Sequence, residues 1–165
     1  MDPKESSPLL ALSCLIEDLR ITAILCKKTY DTIRKYADAP ELAKAVHPEQ
    51  TNITLHVKRL KLIQMEINEV AEKRNASAVP FGLPRKLKKG SERDLWLIAK
   101  AQQVIYQKLP MYKVALEIAT HLNLTQSTSL ISQTIEENEA TCTWLRRILS
   151  RILNGETIIP IDNNV

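Results

Sequence analysis

The chain has 165 residues, of which 44% are hydrophobic and 25% charged, which suits one soluble domain with a sizeable core. Its net charge of +4 is spread along the whole chain and not gathered on one stripe, which argues against nucleic acid as a partner. No run reaches the roughly 18 apolar residues that a membrane helix needs, so no membrane association is expected.

Val, Ile and Thr never alternate with polar residues over a strand-length window, and helical periodicity dominates. The expected fold class is therefore all-α. The first helix is expected over about 7–37. Leu12, Leu15, Leu19, Ala23, Cys26, Tyr30, Ile33 and Ala37 recur at steps of three and four. "DAPE" (38–41) ends it, because Pro40 restricts the residue before it and suits a helix start. The second helix is expected over about 40–73, with the seam Leu42, Val46, Glu49, Ile53, His56, Leu60, Ile63, Ile67 and Val70. Pro48 should kink it or split off its first turns.

Residues 74–91 hold Pro80, Gly82, Pro84 and Gly90 and form the one long connection, expected to cross the bundle. They also carry Arg85, Lys86, Lys88 and Lys89, which read as a solvated basic loop. The third helix is expected over about 92–122, capped by Ser91, with a kink at Pro110. The fourth is expected over about 128–153, with Thr125 or Ser127 as cap and Gly155 as stop. The middle of the tail "ETIIPIDNNV" (156–165) is apolar enough to dock. Four long helices, two short turns and one long connection describe a single domain over 1–165. Its connectivity is that of a ferritin-like four-helix bundle with the crossover between helices 2 and 3.

Cys14, Cys26 and Cys142 are odd in number and widely spaced, which fits a reducing cytoplasm better than a disulfide framework. The start "MDPKESSPLLALSCLIEDL" mixes charges and lacks a cleavage-like site, so it does not read as a signal peptide.

The core seams carry polar residues that need partners if they are buried: Cys26, Glu49, His56, Gln102 and Asn138, with Asn52 and Glu137 one step off. A di-metal bundle takes Glu from two helices and Glu-x-x-His from two more. No Glu here has a His three residues later. Each candidate also has a plain structural reading. Glu49, just after Pro48, suits the first turn of a helix. His56 suits a hydrogen-bonded interior histidine. Glu136, Glu137 and Glu139 suit a solvated face, with only Glu137 turning inward. Cys26 suits a small buried hydrophobe.

"LIAKAQQVIYQKLPMYKVALEIATHLNL" followed by "LISQTIEENEAT" resembles the second half of the bacterial YciE/YciF-type ferritin-like proteins. Their pattern A-Q-x-V-E-H-Y-E-x-A-x-Y is met by Ala101, Gln102, Val104 and Tyr112. L-x-x-T-L-x-E-E-x-x-T is matched by Leu130, Glu136 and Glu137, with Thr134 and Thr141 each one residue beyond the pattern's threonines. "PELAKAV" and "HVKRLKLIQMEI" are similar to the first-half motifs, so the resemblance spans about residues 12–150. Where the pattern has V-E-H-Y-E, this chain has Val104, Ile105, Tyr106, Gln107 and Lys108. The first-helix acidic position falls near Cys26, and the second-helix E-T pair falls near Asn52 and Ile53.

The resemblance thus implies a ferritin-like scaffold whose di-metal site is largely lost, with Glu136 or Glu137 as the surviving acidic position. The expectation is a cytoplasmic, non-catalytic bundle without a cofactor, structural or stress-related in role. It would pair as a homodimer, with Leu9, Leu10, Ile21 and Leu25 available for the contact, and its other protein partner is unassigned. The alternative is a metal-binding oxidoreductase or storage protein holding iron or another divalent metal. Glu49, His56 and Glu137 are the candidate ligands.

Overall fold

The three- and four-residue steps of the first segment become one helix, α1 (Pro8–Tyr36). Leu12, Leu19, Ala23, Cys26, Tyr30 and Ile33 on its seam are all buried. The computed structural model describes residues 8–68, 73–76 and 82–155, and the described residues are all-helical, with five further helices. These are α2 (Pro40–Ala45), α3 (Pro48–Thr51), α4 (Ile53–Ile67), α5 (Ser91–His121) and α6 (Thr125–Leu153).

The expected second helix, 40–73, is three helices instead. Pro48 holds His47 in the extended region (φ −64°, ψ 140°), so the chain cannot run on as α-helix from α2 into α3. Asn52 then adopts a left-handed conformation (φ 57°, ψ 23°) and separates α3 from α4. A second left-handed residue, Asn68 at φ 55°, closes α4. Val70 lies outside the described residues. The break re-aims the seam. Leu42, Val46, Ile53, His56, Leu60, Ile63 and Ile67 are buried, whereas Glu49 is exposed on the short α3 and Thr51 turns inward.

Two expected caps are also replaced. Gly90 (φ 128°) precedes α5, and Ser91 is the first helical residue, with no side-chain cap in place. The helix then runs unbroken through Pro110. α6 starts at Thr125, three residues before the expected 128, and neither Thr125 nor Ser127 caps it. A partner from another helix does the work: the Glu66 carboxylate of α4 accepts the Ser127 N–H at 3.3 Å. The start of α2 is held similarly. Asp94 of α5, 3% exposed, accepts the N–H groups of Asp38 (2.8 Å) and Ala39 (2.9 Å).

α1 packs on α4 and α5, and α6 packs on the same two helices and on α2. Their buried faces join in one apolar core from Leu12 to Ile148. Each fully buried Leu or Ile in it contributes about 1.5–3 kcal/mol. Between α4 and α5, Arg85, Lys86, Lys88 and Lys89 are exposed, and Lys89 lies 3.7 Å from Asp38. Pro80 and the tail 156–165 lie outside the described residues. Among the described residues, no helix is long and apolar enough to cross a membrane.

Candidate functional site

The apolar core is interrupted where α4 faces α6. His56 is 1% exposed, and its Nε2 lies 2.8 Å from Glu137 Oε2. Arg59, one turn along α4, forks onto the same carboxylate. Its Nη1 donates to Oε2 at 2.6 Å and its Nη2 to Oε1 at 3.0 Å. Nη1 also donates to the Thr134 hydroxyl at 3.2 Å, and that hydroxyl donates to the Leu130 carbonyl at 2.8 Å. His56 and Arg59 are three residues apart, so they leave α4 on one face. Thr134, Glu137 and Thr141 share the opposing face of α6 by the same spacing. This paired geometry is the strong form of a carboxylate–guanidinium contact.

The electrostatics follow from burial. Burial alone would raise the Glu137 pKa, but the hydrogen bonds from Arg59 and His56, with the Arg59 charge, outweigh it and hold the carboxyl below its ordinary value. His56 is pushed down to about 4, first by burial and then by the nearby Lys108 charge, against the opposing pull of Glu137. At neutral pH the imidazole is therefore uncharged. Ionised Glu137 can only accept, so Nε2 carries the ring proton and Nδ1 the lone pair. That Nδ1 is buried with no hydrogen-bond partner among the described residues.

A second polar contact lies in the same interior, between α1 and α5. Lys108, fully buried, donates from Nζ to Cys26 Sγ at 3.2 Å, and Cys26 is fully buried too. Burial raises the Tyr30 and Tyr112 phenols, and the neighbouring Cys26 sulfur adds to it in both. The Tyr112 hydroxyl has no hydrogen-bond partner among the described residues.

Of the three candidate residues, the structure brings His56 and Glu137 together and leaves Glu49 apart. Glu49 sits in the first turn of α3, where its backbone N–H donates to His47 Nδ1 at 3.2 Å. Of the other polar seam residues, Asn138 is buried and donates to the Thr134 carbonyl at 2.8 Å, and Gln102 is half-buried. Glu136 and Glu139 are exposed. Arg59 and Lys108 were absent from the sequence-based set. Their signal was positional: Arg59 stands three residues from His56, and Lys108 three from Ile105 and four from Tyr112, all on buried faces. Among the described residues, no group of three or more His, Cys, Asp or Glu side chains is arranged to hold a metal ion.

The chain belongs to the family described as a domain of unknown function, DUF892, whose profile matches residues 25–158. The YciE/YciF-type resemblance carried by the sequence motifs agrees with this. Among solved structures, the fold is similar to that of the E. coli stress protein YciF. The TM-score is 0.79 at 17% identity, over 92% of this chain and 99% of that one. No curated protein matches the sequence.

Proposed function

We propose that this chain is a ferritin-like four-helix bundle, with its crossover between α4 and α5, in which fixed cations take the place of metal ions. It serves as a non-catalytic, cofactor-free scaffold in the cytoplasm, acting through its surface in a stress-related role. The name of its structural relative, a stress protein, supports that role.

One observation carries the reading: both Glu137 oxygens are engaged by Arg59, at 2.6 and 3.0 Å. A hard divalent ion needs several oxygen ligands, and a carboxylate already forked by a guanidinium is a poor one. Lys108 adds a second buried positive group where the family pattern has a carboxylate. Together with Ile105, it leaves a donor set that does not fit a di-metal centre. A homodimer belongs to the same reading. Leu10 is 48% exposed on α1, and Leu55, Leu62 and Met65 are exposed on one face of α4.

The test is elemental analysis of the purified protein after incubation with Fe(II), Mn(II) and Zn(II) and desalting. The expected result is no retained metal, with the helical circular dichroism intact. About two tightly bound ions per chain would overturn the reading and put the metal-binding oxidoreductase or storage protein in its place.

A further inference from the structure

Lys108 and Cys26 pose a problem of charge. Both are fully buried, on different helices, and the Nζ–Sγ contact is 3.2 Å. A buried ammonium without a counter-charge is expensive. Cys26 Sγ accepts the Lys108 Nζ hydrogen bond from α1, where a sulfur counter-charge would offset the ammonium. The pair is therefore stable in the interior. It also sets an amine against a sulfur with no solvent between them.

We propose that Cys26 and Lys108 form an oxidation-dependent covalent cross-link, a sulfenamide joining α1 to α5, with hydrogen peroxide as the oxidant. In the first step the Cys26 thiolate attacks one peroxide oxygen and the O–O bond breaks. The departing hydroxide takes a proton from the Lys108 ammonium and leaves as water. The products are Cys26 sulfenic acid and a neutral Lys108 amine. In the second step the Nζ lone pair attacks the sulfenic sulfur. The S–N bond forms, the S–O bond breaks, and the departing oxygen leaves as a second water with a proton from the amine. Sulfur loses two electrons, the peroxide gains them, and the protein loses two hydrogens.

Burial directs this outcome. Hydrogen peroxide is close to water in size, whereas glutathione and protein thiols are far too large to reach Cys26. A sulfenic acid in that position condenses with whichever nucleophile is already beside it. Lys108 is held there by the fold, which gives it a high effective concentration. The bond would close a span of 82 residues in the unfolded chain, so it should raise the unfolding temperature.

The experiment uses the full wild-type chain, folded, treated with hydrogen peroxide and then digested for tandem mass spectrometry. The expected result is an intact mass lower by two hydrogens, a linked peptide joining Cys26 to Lys108, and reversal by dithiothreitol once the chain is digested and the link exposed. A Cys26–Cys142 disulfide gives the same intact mass, so Cys142→Ala is treated in parallel and should still form the link. Lys108→Met should not form it, and neither should wild type oxidised in denaturant. The proposal is overturned if Cys26 is recovered as free thiol, as sulfinic or sulfonic acid, or joined to Cys142. The peptide map of wild type decides the matter even if Lys108→Met fails to fold.

Discussion

At the scale of single residues, Arg59 does most to determine the interior. It neutralises a carboxylate that burial would otherwise penalise. Arg59→Ala should leave Glu137 with only a neutral imidazole, at a cost of about 2–3 kcal/mol, kept low because Glu137 is 19% exposed. Urea denaturation measures this, and Glu137→Gln in the same background should recover part of the loss. The pH dependence has a definite sign. His56 titrates near 4 in the folded chain against 6.5 when unperturbed. The unfolded chain therefore binds more protons in that window, and stability falls as pH drops from about 6.5 to 4, by about 3 kcal/mol. Glu137, held below its ordinary value, adds a loss of the same sign at lower pH. Denaturation midpoints at pH 7 and pH 4.5 check the His56 contribution, a further fall below pH 4.5 checks that of Glu137, and unchanged midpoints would contradict them.

At the scale of helices, much of the fold was legible because apolar spacing reports burial directly. α1, α5 and α6 begin and end within three residues of their expected bounds. What was not legible has local causes. The second segment kept a seam of perfect steps through Glu49, and spacing alone cannot reveal that Asn52 turns left-handed. Once the chain breaks there, Glu49 belongs to a separate turn and leaves the core. The break makes its own prediction. Asn52→Val should cost about 1–2 kcal/mol because a β-branched residue resists positive φ, whereas Asn52→Gly should be nearly neutral. Thermal melts of the two variants separate them. The caps were missed for a related reason: Asp94 and Glu66 act across helices, and no local pattern encodes a partner from another element. In the site, His56 and Glu137 were visible as polar residues on or beside apolar seams. Arg59 and Lys108 were not, because long cationic side chains are assigned to the surface unless something specific draws them inward.

At the scale of the whole molecule, the proposed function separates the interior from the surface. The interior satisfies Glu137 with a guanidinium and pairs Lys108 with Cys26, and the proposed homodimer rests on the exposed apolar residues of α1 and α4. Sedimentation at high micromolar concentration should show a homodimer, and Leu55→Glu with Leu62→Glu should shift it towards monomer without loss of helicity. A monomer in wild type would remove the pairing from the account.

In this reading one fixed protein cation, Arg59, and not a metal ion, holds the Glu137 carboxylate while His56 stays neutral. The most direct measurement is a nitrogen-15 NMR titration of the His56 ring in the intact chain. The account predicts a neutral imidazole protonated on Nε2 at pH 7, unchanged until a midpoint near 4. An imidazolium at pH 7, a midpoint at or above 6.5, or a proton on Nδ1 with Nε2 bound to metal would contradict it.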